Sequence, residues 1–425
     1  MKQQPERRSR RSRIRRFWQA LGPGVTTGAA DDDPSGIATY SIAGAQLGTS
    51  LLWTAWVTWP LMAAVQNMCA RIGMVSGSGV MAGLQQKFPR PLLLIAATAL
   101  LIANTFNIGA DLSGMADAAE LLTGIRSHIW VVIFAVGIGW ATIQLRYGTL
   151  ANVLKWLALV LFVYVIAALH VHPSVAVVAR GTLIPRVPAG REGWATLVAI
   201  LGTTISPYLF FWQASQEVEE EKAKGRTTVA SRWGASSSEL RRRKIDVGVG
   251  TFFSNLVMYF IILTTALTLH QHRVFHPRST LAVAESLRPL AGRFAALLYT
   301  LGLVGTGLLA IPTLSGSAAY AFAEAFGWEQ GIDARFSQAR AFYGVVVLSM
   351  VIGALMDFFN INPVLSLYWS AVLNGLLAPF LLVGILLVAS DKAIMKSQPS
   401  TRLSLVTVGF TTIAMFAAGI AMFVL

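Results

Sequence analysis

Residues 22–48 read GPGVTTGAADDDPSGIATYSIAGAQLG. The run is long and apolar enough to enter a bilayer, yet Asp31, Asp32 and Asp33 sit near its middle, directly before Pro34-Ser35-Gly36. Proline lacks a backbone donor and disfavours helix at the residue before it, so Asp33 is the expected point of unwinding. A second stretch, residues 195–221, reads ATLVAILGTTISPYLFFWQASQEVEEE and puts Ser206 in the same position before Pro207. Small or hydroxyl-bearing neighbours let the chain leave the helix: Gly28, Ser35 and Gly36 in the first stretch, Gly202, Thr203 and Thr204 in the second. A membrane tolerates broken helices where the freed backbone groups line a protein-enclosed cavity, and carriers place their ion sites there.

A proline that merely kinks a packed helix is the competing reading, and it serves equally well for Ser206-Pro207 taken alone. It fails for the first stretch, because a carboxylate near mid-membrane costs about 2.5–3.5 kcal/mol or more and marks function. Successive helical residues diverge by about 100°, so three consecutive aspartates cannot face one point. Asp33 is therefore assigned to the site and Asp32 to its support. Asp31 either accepts a hydrogen bond or faces a water-filled vestibule.

The rest of the chain fits that reading. Of 425 residues, 55% are hydrophobic and 13% charged, against about 25% charged in an ordinary soluble domain. Apolar blocks of about 20 residues, the length that crosses a hydrocarbon core, predict eleven spans. They lie near 19–47, 51–72, 92–121, 129–145, 150–169, 194–217, 246–269, 294–323, 341–357, 363–389 and 403–425. Blocks 92–121 and 294–323 are long enough to tilt. The expected fold class is all-α integral membrane, with a basic cytoplasmic tail over residues 1–18 and a single transmembrane transporter domain over 19–425. The tail does not read as a secretory signal, since Gly22, Pro23 and the aspartates break the apolar stretch that follows it. The two breaks lie five spans apart, the spacing of two inverted five-helix repeats with broken helices 1 and 6 and an added eleventh helix. No residue-level repeat is visible.

Basic loops resist translocation. With the N-terminus inside and the C-terminus outside, only Arg126, Arg180, Arg186, Arg191, Arg273, Arg278, Arg288 and Arg293 of the 34 Lys and Arg residues fall outside. This predicts a multi-pass protein of the cell membrane. The net charge of +14 then reflects a cytoplasmic face attracted to anionic lipid and calls for no nucleic acid. Cys69 is the single cysteine, which excludes an internal disulfide. No Walker-type nucleotide loop and no zinc-protease helix is present, so ATP-driven transport by this chain alone and a membrane peptidase are both disfavoured; no enzyme and no cofactor are expected.

Other polar positions carry two readings each. In the third span Asn104, Asn107 and Asp111 share a helical face and either line a hydrated path or join helices. In the sixth, Ser206, Gln213 and Glu217 share a face descending from the break, although Glu217 also begins the charged run EVEEEK. Asn374 in the tenth span fits helix packing better than ion binding. Asp357, Asn360 and Asn362 mark an outer loop that attracts cations or is simply polar. All six histidines, His128, His170, His172, His270, His272 and His276, fall on the outer side. A His-x-His pair can capture metal, but interfacial histidine needs no such role.

The run GPG…DPSGIATYSIAGAQLGTSLLW…AVQNMCARIGMVSG resembles the first two helices of the natural resistance-associated macrophage protein (NRAMP) metal transporters, whose pattern reads GPG…DPGN-x-AT…GAQ-x-G-x-SLLW…Q-x-x-(S/C)-A-(R/K)-x-G-x-x-(T/S)G. The likeness continues more weakly through GTTISPY to NGLLAPFLL near the tenth span. It implies a LeuT-like fold of two inverted repeats and inward carriage of divalent metals such as manganese and iron, usually with protons. The departures from the pattern are informative. The family's first-helix Asp falls on Asp33, but its Asn falls on Gly36. The sixth-helix Gly-Ala-Thr-x-Met-Pro-His falls on Gly202, Thr203, Thr204, Ile205, Ser206, Pro207 and Tyr208. The ligating Met has thus become Ser206, and the His tied to proton handling has become Tyr208. In the third helix one of two family acids falls on Ile108 while Asp111 keeps the other, and the tenth-helix Gln falls on Ala371.

Loss of a thioether relaxes discrimination against hard ions, which oxygen ligands suit. Loss of Asn and Met also widens the cavity for an ion such as Mg²⁺ that keeps several waters. The chain is similar to the NRAMP-related branch associated with magnesium and manganese uptake, with weak or absent proton coupling. The implied metal site is Asp33, Gly36, Thr203 and Ser206, and the candidate pathway is Asn107, Asp111, Tyr208, Gln213, Glu217 and Asn374. A proton-coupled Mn²⁺/Fe²⁺ symporter and an amino-acid or organic-cation carrier of the same fold are the alternatives. Channel or sensor activity is a further class that saturable uptake would separate. Expected partners are the divalent ion and membrane lipid.

Overall fold

Helices stop and restart at both prolines in the computed structural model, which describes residues 27–28, 30–145, 159–171, 173–277, 279–359 and 361–425. The basic tail, Gly22, Pro23, the beginning of the fifth span, Arg146, Lys155, His172, Arg278 and Asn360 lie outside the described residues. Helix reaches Asp31, bends at Asp32 and resumes at Pro34. Helices of eight residues or more are numbered in chain order. They are α1 (Pro34–Leu47), α2 (Trp53–Ser76), α3 (Arg90–Thr123), α4 (Ser127–Gln144), α5 (Val163–His170), α6 (Val175–Leu183) and α7 (Gly190–Thr204). There follow α8 (Pro207–Ala223), α9 (Ser237–Thr265), α10 (Ala295–Phe326), α11 (Arg340–Met356), α12 (Pro363–Ser390) and α13 (Arg402–Val424). No strand occurs among the described residues.

Eight helical segments among the described residues are long and apolar enough to cross a membrane. The first, second and fifth of the eleven expected spans are not among these eight. The first is interrupted at Asp32 and Asp33, the beginning of the fifth lies outside the described residues, and α2 carries Gln66, Asn67 and Arg71 within its length. The seventh expected span starts at 246, but α9 begins nine residues earlier. A capping box forms there, in which Ser236 accepts from the Glu239 amide and Glu239 returns the contact to the Ser236 amide. That cap lets helix continue through the charged run ELRRRK.

Loop contacts join residues at each of two faces. On one, Arg71 donates to the Gln398 carbonyl, Arg232 to the Gly77 carbonyl and Lys222 to the Gln330 carbonyl, and Lys87 pairs with Asp391. On the other, Trp53 reaches the Arg186 carbonyl and Gln46 reaches His276.

Close approach of helices fixes the position of the second break. A Cβ on Gly202 would stand 2.0 Å from the Ala371 carbonyl oxygen and 2.3 Å from the Gly375 nitrogen. The end of α7 is therefore seated backbone to backbone on α12. Small residues are the usual means of such contact in membranes, where apolar burial alone does not drive helices together.

Candidate functional site

Asp33 stands in the gap between the two halves of the first helix, 1% exposed. It is the N-cap of α1: Oδ1 accepts from the Gly36 amide at 2.7 Å and from the Ser35 hydroxyl at 2.6 Å. The free amides and positive dipole end of a helix favour a carboxylate there. Oδ2 accepts from Asn107 Nδ2 of α3 at 3.1 Å, and Asn107 Oδ1 accepts from the Ser370 hydroxyl of α12 at 2.8 Å. Three helices thus orient one carboxylate, and lone pairs remain on both oxygens.

Gly36 brings the breaks together. A Cβ there would lie 3.0 Å from Thr203 Oγ1 and 3.5 Å from Asp33 Oδ1, so Thr203 faces Asp33 across the space the glycine leaves. Thr203 Oγ1 and the Tyr40 hydroxyl are buried beside each other, and neither meets any further polar partner among the described residues. The Asp111 carboxylate, on the same face of α3 as Asn107, is fully buried near the Ser35 amide of α1. Asn104, expected on that face too, instead donates to the Leu314 carbonyl at 2.9 Å and Ser317 at 2.8 Å, which joins α3 to α10.

The other expected residues divide. Ser206 lies at the break as the N-cap of α8, but its hydroxyl donates back to the Gly202 and Thr203 carbonyls, both at 2.7 Å. It satisfies the last carbonyls of α7, and only its lone pairs remain for an ion. Tyr208 donates to the Ala30 carbonyl at 3.0 Å, closing a backbone group freed by the first break. Asp31 and Asp32 share the Ser254 hydroxyl of α9, at 2.6 Å and 3.1 Å, which settles Asp31 as hydrogen-bonded. Asn374 is buried with Oδ1 unpartnered among the described residues. Gln213 donates to Glu217, and Glu217 is 1% exposed and paired with Arg243, so the charged run that begins there starts buried.

The outer positions are tied into the structure. His270 Nδ1 lies 2.8 Å from the Ala45 carbonyl and His272 Nδ1 2.7 Å from the Thr268 carbonyl. Asp357 meets His128 and Ser113, and Asn362 caps α12. Among the described residues no group of three or more His, Cys, Asp or Glu side chains is disposed to hold a metal, so the histidines form no capture cluster there.

Ser254, Ser370 and Tyr40 are absent from the sequence-derived site. Ser370 had a signal, since it precedes Asn374 by one turn and the two are polar positions on one face of an apolar helix. Ser254 lies among other polar residues of α9, and nothing in the sequence sets it apart.

The sequence model described as natural resistance-associated macrophage protein-like (Nramp) matches residues 24–425. The chain belongs to the Nramp family. Among its relatives, the Deinococcus radiodurans divalent metal cation transporter MntH is 27% identical over 309 residues, 71% of this chain and 69% of that protein. The MntH of Yersinia enterocolitica is 27% identical over 324 residues, 73% and 74% of the two chains. In structure, an Eremococcus coleocola manganese transporter aligns with a TM-score of 0.77 at 18% identity, covering 99% of this chain and 88% of the other. Inward-facing Mhp1 aligns with a TM-score of 0.55 at 16% identity, covering 95% and 88%. These neighbours place the Nramp chain in the LeuT-like fold, with its two inverted repeats and broken first and sixth helices.

Two departures from the Nramp pattern are neighbours in space. That pattern carries Asn where this chain has Gly36 and Ala where it has Thr203. Here the Thr203 hydroxyl occupies the space beside Asp33 into which a side chain at position 36 would project. No thioether stands among Asp33, Gly36, Thr203, Ser206 and their hydrogen-bond partners.

Proposed function

We propose that the chain is a secondary carrier that imports divalent metal ions, Mg²⁺ and Mn²⁺ ahead of softer ions, without obligatory proton entry. The carrying observation is the arrangement around Gly36: the buried Asp33 carboxylate and the Thr203 hydroxyl flank the space that the glycine leaves, with the Tyr40 ring beside them. A divalent ion in low dielectric requires compensating negative charge, which Asp33 supplies. Oxygen ligands suit Mg²⁺ and Mn²⁺, whereas the methionine sulfur that would favour softer metals is replaced by Ser206. Family membership and the names of the MntH relatives support metal as the cargo over an amino acid or organic cation. The basic loops gathered on one face support an orientation with that face and the N-terminus in the cytoplasm.

Proton coupling needs a group that changes protonation as the carrier cycles. Histidine does so near neutral pH; tyrosine, with an ordinary pKa of about 10, does not. Tyr208 is occupied in holding the Ala30 carbonyl, and Glu217 is held by Arg243. One observation favours the rival, proton-coupled reading: the Asp111 carboxylate is buried and has no basic side chain paired to it among the described residues. The test is intravesicular pH during Mn²⁺ uptake into proteoliposomes at clamped membrane potential. No acidification beyond that of protein-free vesicles is expected. Acidification that follows the metal dose and disappears in Asp111→Asn would establish the rival reading.

A further inference from the structure

Between the break and the basic face lies a buried ionic group that the Asp33 site does not use. Arg243, in the second turn of α9, donates through Nε to Glu217 at 2.8 Å, through Nη1 to Asp246 at 2.6 Å and through Nη2 to Glu220. The Glu217 and Asp246 side chains are each 2% exposed and that of Arg243 is 10% exposed. Glu220, at 36%, opens toward the basic face and shares Lys224 at 3.2 Å.

Gln213 connects this group to the break. It sits two turns below Ser206 on the same face of α8 and is fully buried. Its Nε2 donates to Glu217 Oε1 at 2.7 Å, while its own Oε1 has no partner among the described residues. An amide that donates to a carboxylate and leaves its carbonyl oxygen bare beside it presents two oxygen ligands to a cation. On α2, which packs against α8, Gln66 is likewise buried with neither amide atom partnered among the described residues.

We propose that Gln213, Glu217 and Asp246 form a second, transient site for the departing divalent cation, and that Arg243 is a tethered counter-cation which the ion displaces. The proposal rests on the reading of the chain as a divalent-metal carrier. Glu217 and Asp246 are the two buried carboxylates on the guanidinium, and the third, Glu220, is shared with Lys224, so a divalent ion offers this group more compensating charge than Arg243 alone. Unoccupied by any cation, two buried carboxylates would be strongly disfavoured. Occupied by the arginine, they are held together between transport events and return to it when the ion leaves, which keeps the ion's stay short. The carboxylates are splayed around the guanidinium, and no group of three or more His, Cys, Asp or Glu among the described residues converges on a bare ion. That geometry suits an ion that keeps part of its water shell and takes one or two carboxylates, as Mg²⁺ commonly does.

The test is Mn²⁺ binding to the purified full-length protein by titration calorimetry. Asp33→Asn is expected to bind no Mn²⁺, and Asp33→Asn with Arg243→Gln to regain one equivalent that adding Glu217→Gln removes. Arg243→Lys, which keeps a cation in place, should regain none. A monodisperse Asp33→Asn/Arg243→Gln protein without bound Mn²⁺, or binding that survives Glu217→Gln, overturns the proposal. Should Asp33→Asn alone still bind one equivalent, the Asp33 reading fails separately, and the second site is read from a rise to two equivalents with Arg243→Gln. Glu217→Gln in the otherwise native chain provides an independent check. Its maximal Mn²⁺ uptake should fall several-fold with the half-saturating Mn²⁺ concentration unchanged, and an undiminished maximal rate contradicts the proposal.

Discussion

Asp33→Asn is expected to abolish divalent-ion uptake while leaving the protein folded. Asparagine is as good an N-cap as aspartate, so the amide can still accept from Gly36 and α1 keeps its start. The substitution therefore removes the charge and little of the structure, whereas Asp33→Ala would also cost about 1 kcal/mol of capping. Removing one partner of a buried charge pair costs about 2–5 kcal/mol, and each 1.4 kcal/mol is about tenfold in affinity. Binding should therefore weaken by about 30-fold at the least. Mn²⁺ uptake by proteoliposomes and the size-exclusion profile of the purified variant check both halves of the prediction. Normal uptake by a well-folded variant would remove the proposed site.

The triple substitution Gly36→Asn, Thr203→Ala and Ser206→Met is expected to shift preference from Mg²⁺ toward Mn²⁺ and Cd²⁺. The three must be made together. A Cβ at position 36 lies 3.0 Å from Thr203 Oγ1, so the asparagine needs the space that Thr203→Ala vacates. Methionine at 206 adds a soft donor and takes volume from a hydrated ion. It also removes the hydroxyl that serves the Gly202 and Thr203 carbonyls, leaving these available to a ligand. A change of about tenfold in the Cd²⁺/Mg²⁺ affinity ratio corresponds to about 1.4 kcal/mol. An unchanged ratio would show that these positions do not face the ion.

Both breaks are legible in sequence because each depends on a local rule: proline acts on the residue before it, and Asp33 and Ser206 are accordingly non-helical. Asn107 and Asp111 are legible as a shared face, since helical periodicity suffices to place them together. Periodicity does not say which neighbour the face meets, and Asn104 turns to α10 while Asn107 turns to Asp33. The role of Ser206 is hidden for a different reason, because its hydroxyl chooses between an ion and two nearby carbonyls only once the helix end has formed. Arg243 reads in sequence as one more basic residue of a cytoplasmic loop. Its burial depends on a helix that the Ser236 cap extends outward, and on carboxylates of α8 that are more than twenty residues away.

Competitive uptake tests the central claim most directly: wild-type and Asp33→Asn vesicles, loaded with metal indicator and held at a fixed inside-negative potential, receive Mn²⁺ alone or with Mg²⁺, Ca²⁺ or Cd²⁺. The potential contributes about 2.3 kcal/mol per charge per 100 mV, hence about 4.6 kcal/mol for a divalent ion, and is a sufficient driving force without protons. The account predicts that Mg²⁺ enters the wild-type vesicles and suppresses Mn²⁺ uptake, and that the Asp33→Asn vesicles take up neither. Wild-type vesicles that exclude Mg²⁺ while admitting Mn²⁺ and Cd²⁺, or Asp33→Asn vesicles that transport as wild type does, would contradict it.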